Sequence, residues 1–302
     1  MLPLRVATAI VGVPVVIALI WWGGAGYSVA VGVILTVAAL EFYAAVAPAS
    51  SAIRRGGVRM ADSNPSPAEN PLAALAQRPL PRLLNQRPLG LLGAALIALL
   101  VAGAHNGADW WTGALALAAV LPSLWLVARG ETQSALSEWL VVVGGVLYVG
   151  WLGSYLIPLR QLDQDGQWVF LAVFAAFAND TGAYFVGMAI GHTPLAPRIS
   201  PSKTVEGSLG GLICGMAAVP LLSYALGLDI DVGPLIPLAV LVPVAAQLGD
   251  LAESLLKRSA GVKDAGVIVP GHGGVLDRLD SLLFVVPMVY YYAKLIIDVK
   301  GG

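Results

Sequence analysis

Long apolar runs recur along almost the whole chain, and they leave few folds open to it. About 20 consecutive apolar residues are needed for one helix to cross a bilayer. Roughly nine segments approach that length by this criterion: 4–24, 27–48, 89–104, 109–129, 134–158, 167–191, 207–228, 232–249 and 281–297. In lipid every backbone polar group must find its partner within the protein, so such runs fold as helices. The expected fold class is therefore all-α: a polytopic membrane helical bundle of about nine transmembrane helices. Composition agrees, because only 12% of the residues are charged, against about 25% in soluble domains.

The first run ends in Trp21 and Trp22 rather than in a small-residue cleavage site, and it is long enough to span. It reads as a retained helix and not as a signal peptide. The net charge of -1 gives no basic field for nucleic acid. Cys214 is the only cysteine, which excludes an intramolecular disulfide and a thiolate cluster. Residues 49–88 interrupt the apolar pattern. They hold Arg54, Arg55, Arg59, Arg78, Arg82 and Arg87, several prolines and little periodicity, and read as a loosely ordered polar loop. The chain divides near residue 160, into N-terminal membrane helices carrying that loop (1–160) and a C-terminal catalytic membrane region (161–302).

Basic residues near helix ends set orientation. With a cytoplasmic N-terminus, loop 49–88, Arg129, loop 192–206 and the stretch 250–280 fall in the cytoplasm. Asp163, Asp165, Asp229 and Asp231 fall on the opposite side, with Arg160 the one basic residue there. The expected location is a bacterial cytoplasmic membrane, with the active site facing the cytoplasm. No internal repeat of the transporter kind is evident.

Two regions are polar where a plain anchor would not be. In the first, Asn179 and Asp180 interrupt the sixth apolar segment. An ionisable residue at such depth usually faces a polar cavity or a partner. Tyr184 follows at i+4, on the same helical face. The next loop brings Arg198, Ser200, Ser202, Lys203, Thr204 and Glu206 to a helix start. That arrangement suits phosphate, or equally a capping box in which Glu206 serves as a cap. Gly207, Gly211 and Gly215 follow at four-residue spacing, the pattern of close helix packing.

In the second region, Asp250, Ser254 and Lys257 or Arg258 share one helical face. Asp277 and Asp280 share another, next to the glycine turn Pro270-Gly-His-Gly-Gly. Carboxylates brought together from two helices suit Mg²⁺, which one or two carboxylates hold together with substrate phosphate. Asp280 also reads as a cap before Ser281. His272 is no zinc site, since no second His or Cys lies at ligand spacing.

The run Ser254–Ser281 reads S-x-x-K-R, K-D-x-G, P-G-H-G-G and D-R-x-D in order. It resembles the signature of the phosphatidate cytidylyltransferases, also called CDP-diacylglycerol synthases. Upstream, NDTGAYFVG and ISPSKTVEG resemble that family's second block, so the resemblance covers about 178–281. It implies transfer of CMP from CTP to phosphatidic acid within a lipid membrane. It implies Asp250 and Asp277 as Mg²⁺ carboxylates, with Asp280 a further candidate and a second cation such as K⁺ left open. By the same resemblance Lys257, Arg258, Lys263 and Arg278 balance triphosphate charge and Asp180 joins the catalytic set. Ser200, Lys203, Thr204, Ser254, Asp264, His272 and Asn179 contact substrate. A homodimer is left open. A polyprenol kinase would lack the full motif run, and a transporter would spread its charges over several helices.

Overall fold

The computed structural model describes residues 2–53, 88–130, 132, 135–266, 268 and 273–298. Most of loop 49–88, and His272 with it, lies outside them. The apolar runs become helices: α1 (Leu2–Trp22), α2 (Gly24–Ile53), α3 (Pro88–Asn106), α4 (Ala108–Arg129) and α5 (Ala135–Gly145). A π-helical turn (Val146–Trp151) leads into the short α6 (Leu152–Ser154) and α7 (Leu156–Arg160). Then come α8 (Gln167–Ile190), α9 (Val205–Leu226), α10 (Val232–Ser259), a 3₁₀ turn (Leu276–Arg278) and α11 (Leu282–Leu295).

Seven described stretches are long and apolar enough to cross a membrane, Ala135–Arg160 counting as one. Helices also stand at the first and last expected segments, but α11 has only 14 residues, short of the ~20 a straight crossing needs. The protein is thus an all-helical polytopic membrane protein, with seven spans established by length and composition among the described residues. Its outward surface agrees. Leu99, Leu117, Val120, Leu124, Ile213 and Leu221 are exposed along α3, α4 and α9. Apolar exposure on that scale suits a lipid solvent, not water.

One hydrophobic core draws on both halves of the chain, from Leu35, Ile97 and Val149 to Ala172, Val242 and Val285. Among the polar ties at its edges, Tyr43 donates to the Val142 carbonyl (2.9 Å) and Trp111 to Ser154 Oγ (3.0 Å). At one end of the bundle Arg160 donates to the Ile20 carbonyl (2.7 Å), and Asp163 accepts the Gln167 amide (2.9 Å) at the start of α8. The candidate site lies at the other end.

The loop 192–206 is not irregular. It forms a small antiparallel hairpin, β1 (Pro194–Ala196) on β2 (Ser200–Thr204), in register Pro194↔Thr204 and Ala196↔Ser200. The glycine row 207, 211, 215 acts as packing spacing implies. A methyl on Gly211 would stand 2.8 Å from the Asn179 carbonyl oxygen, and one on Gly215 2.6 Å from Pro243 Cβ. Three helices, α8, α9 and α10, therefore approach closely around Asn179.

Candidate active site

The site is assembled at the helix ends and begins with a buried clamp. Asn179 is fully buried on α8. Its Oδ1 accepts from Gln247 Nε2 on α10 (3.0 Å), which also donates to the Ser208 carbonyl on α9 (2.8 Å). Ser208 Oγ returns a bond to Gln247 Oε1 (2.5 Å). Asn179 Nδ2 donates to Asp180 Oδ1 (2.9 Å). In the structure the Asn179 side chain thus joins three helices and orients Asp180. Tyr184, one turn on from Asp180, is exposed and packs edge-on to Phe185, with ring centroids 5.4 Å apart.

Asp180 continues toward the start of α11, where Ser281 Oγ donates to its Oδ2 (3.3 Å). Ser281 N donates to Asp280 Oδ1 (2.7 Å). Asp250 comes from the last turns of α10, and its Oδ2 pairs with Lys203 Nζ on β2 at 2.5 Å. Close approach of α10 to this turn depends on Gly249, where a methyl would stand 2.6 Å from the Asp280 carbonyl oxygen. The charges of Asp180, Asp250 and Asp280 act on one another across this gap. Burial, then the Asp250 charge, pushes the Asp280 carboxyl up to about 7.

A second network lies beside the first. Glu253 is 1% exposed and pairs with Lys257 one turn on. Lys257 Nζ also donates to Asp277 Oδ1 (2.7 Å). Asp277 Oδ2 accepts the Gly274 amide (2.7 Å), and the Ala265 amide reaches both oxygens (3.3 Å). Burial alone would raise the Asp277 carboxyl. Lys257 and these amides outweigh it and hold the group below the usual carboxylate range. Asp277 is thus a braced anion that orders the K-D-x-G and G-G segments.

The other expected residues divide as follows. Thr204 caps α9, its Oγ1 accepting the Gly207 amide (3.1 Å), so helix capping accounts for it. Glu206 is not that cap; it reaches back to the His192 amide (3.1 Å) and Thr193 Oγ1 (2.8 Å) and pins the hairpin. Arg258 donates to the Ile199 and Val262 carbonyls (3.2 and 3.3 Å), tying hairpin to helix end. Lys263, Asp264 and Arg278 are exposed, and Ser200 and Ser254 half-buried, at the same end. Sequence reasoning passed over Gln247, Glu253 and Glu41. Glu253 was open to detection as an acid at i,i+4 from Lys257, immediately before the motif run.

Whether Mg²⁺ fits can be tested on this geometry. Among the described residues no three His, Cys, Asp or Glu groups enclose an ion unaided. Of the two aspartates expected to share one ion, Asp250 pairs with Lys203, while Asp277 pairs with Lys257 and accepts the Gly274 amide. Asp180, Asp250 and Asp280 are hard oxygen donors that repel one another, with Lys203 and, more remotely, Lys257 among the groups that offset this. That set suits a cation that keeps waters and completes its shell with substrate phosphate, as Mg²⁺ does.

Carboxylates and ammoniums gathered at one end of a membrane helix bundle define a membrane-embedded enzyme built to handle phosphate. A model of the cytidylyltransferase family matches residues 78–296, and the chain belongs to that family. It is 40% identical over 182 residues to the phosphatidate cytidylyltransferase of Bacillus subtilis (strain 168), covering 60% of this chain and 68% of that protein. It is 32% identical over 226 residues to that of Staphylococcus haemolyticus, covering 71% and 85%. The Staphylococcus aureus (strain COL) enzyme matches at 32% over 230 residues, covering 73% and 86%.

Proposed function

We propose that the chain transfers CMP from CTP to phosphatidic acid, giving CDP-diacylglycerol and pyrophosphate for phospholipid synthesis. One observation carries the reading. Side chains from α8, β2, α10 and the 276–281 turn meet at one membrane end, and all lie within the family match. A phosphate oxygen of the lipid attacks the α-phosphorus of CTP. The bond from that phosphorus to the β-phosphate bridging oxygen breaks, and pyrophosphate leaves. Positioning and charge neutralisation do most of such work.

Lys203, paired with Asp250, and Lys257, paired with Asp277, supply positive charge to the phosphates, and exposed Lys263 and Arg278 add to it. Asp180, Asp250 and Asp280 would hold Mg²⁺ together with substrate phosphate, and the ion would supply charge neutralisation at the phosphate oxygens. Asp277 and Glu253 keep Lys257 aimed. The site faces the cytoplasm of a bacterial cytoplasmic membrane, supported by the Lys and Arg residues at this end and the acidic loops at the other. CTP is soluble and the lipid headgroup sits at the interface, so one membrane end serves both. The test is incubation of purified protein in detergent with labelled CTP, phosphatidic acid and Mg²⁺. Formation of CDP-diacylglycerol is expected. Labelled nucleotide left unchanged by well-folded protein, or transfer to a polyprenol instead, defeats the reading.

A further inference from the structure

Glu41 is 1% exposed, near the end of the apolar stretch Gly24–Val46 of α2. It lies outside the family match, which begins at residue 78. A carboxylate so placed needs a partner. No cation is paired with it among the described residues. Its Oε2 accepts the Leu276 amide (2.9 Å), across 235 residues of chain. Its Oε1 is buried with no hydrogen-bond partner at bonding geometry among the described residues.

The segments around it are shaped to receive it. A methyl on Gly266 would fall on Oε1, and one on Gly274 would stand 2.6 Å from Oε2. Neither glycine has a positive φ. Space, not backbone conformation, is what requires glycine at both. Each is the last residue of a motif, K-D-x-G and P-G-H-G-G. The same segments supply the Ala265 and Gly274 amides that brace Asp277, and Asp277 in turn holds Lys257.

We infer that Glu41 is a positioning residue for the reaction: its carboxylate, sent from the N-terminal half, seats the backbone of Ala265–Gly266 and Gly274–Leu276 so that Asp277 and Lys257 keep their geometry. The inference rests on the reading of that region as the active site. Glu41 touches neither substrate nor ion; it acts through the loop backbone.

The test uses full-length protein in detergent. Glu41→Ala should lower kcat about a hundredfold, the scale of a misplacement of about 1 Å. KM for CTP should stay within about threefold, since the loss falls on the transition state. Glu41→Gln keeps an acceptor for the Leu276 amide and should recover most of kcat. Hydrogen exchange should quicken at Leu276 and Gly274 in Glu41→Ala, with α8 and α9 unchanged. Gly266→Ala should imitate Glu41→Ala in the parent protein. It should add little in the Glu41→Ala background, where room for the methyl has been made.

Parental kcat in Glu41→Ala overturns the inference. So does Glu41→Gln as impaired as Glu41→Ala, or Gly266→Ala equally harmful in both backgrounds. Exchange rising throughout the helices would also overturn it, marking a role in the fold alone. If the parent makes no CDP-diacylglycerol, the functional reading falls, while exchange at Leu276 still judges the anchor.

Discussion

Asp180→Asn separates catalysis from architecture at the point where the two meet. Asp180 makes two described side-chain bonds, accepting from Asn179 Nδ2 and from Ser281 Oγ. An asparagine can keep both: its oxygen accepts from Asn179, and its amide donates to the serine hydroxyl. Interhelical hydrogen bonds in membranes average about 0.6 kcal/mol, so stability should change by less than about 1 kcal/mol. The charge, however, is gone, and with it one of three carboxylates facing the gap. Turnover should fall at least about a hundredfold, equivalent to about 2.7 kcal/mol of barrier. The neighbouring change Asn179→Ala should behave oppositely. It removes the acceptor of Gln247 and leaves buried polar groups short of partners, at about 1–3 kcal/mol. It should lower the melting temperature first and activity less. Initial rates and melting temperatures measured on the same detergent preparations decide the matter. Asp180→Asn that remains active but melts early refutes the reasoning and makes Asp180 a packing residue.

Asp250→Asn and Asp277→Asn should each abolish turnover in inserted protein, but only Asp277→Asn should also quicken amide exchange at Ala265 and Gly274; near-normal rates at saturating Mg²⁺ would remove either residue from the site. Replacing residues 52–84 by a short Gly/Ser linker should preserve most of the activity, and complete loss in well-inserted protein would assign that loop a part in substrate entry or the fold. In EDTA the melting temperature should fall as pH rises from about 5 to 7, because the Asp280 carboxyl is raised above its unfolded value and the folded state holds the proton longer. Asp280→Asn should flatten that slope, and an identical slope in the variant would refute the assignment.

Most of the architecture was legible because it follows from one strong signal, the length of apolar runs. The exception is informative. Loop 192–206 forms a hairpin through backbone pairing between Pro194 and Thr204, and no alternation of apolar residues announced it. In the site, the motif residues were legible but their division of labour was not. Thr204 and Asn179 read as polar groups awaiting a ligand. In the fold Thr204 Oγ1 accepts the Gly207 amide and Asn179 Oδ1 accepts from Gln247. Such partners lie up to 68 residues away in sequence, and spacing along one helix cannot reveal them. Glu41 was missed for a different reason. It carried the same signal as Asp180, an acid within an apolar run. Its partner is a backbone amide of the second-last element, and nothing near Glu41 in sequence points there.

The D-R-x-D motif shows why local symmetry in sequence need not survive folding. Asp277 and Asp280 are three residues apart, and spacing alone puts both on one face. Around Asp277 the chain supplies Lys257 and the amides of Gly274 and Ala265, so its charge is compensated from within. Around Asp280 it supplies the Ser281 amide and the charges of Asp250 and Asp180. The first carboxylate is stable without a ligand and can serve as a brace. The second is under-compensated, and under the proposed reading an arriving cation would relieve it. A site with both kinds of acid would bind a cation without losing its shape in the cation's absence, because the group that fixes Lys257 is not the group left for the ion. If both aspartates bound the ion directly, removing it would free Lys257 and the 265–276 segment together. Chelation that leaves amide protection at Ala265 and Gly274 intact therefore separates a braced Asp277 from a liganding one.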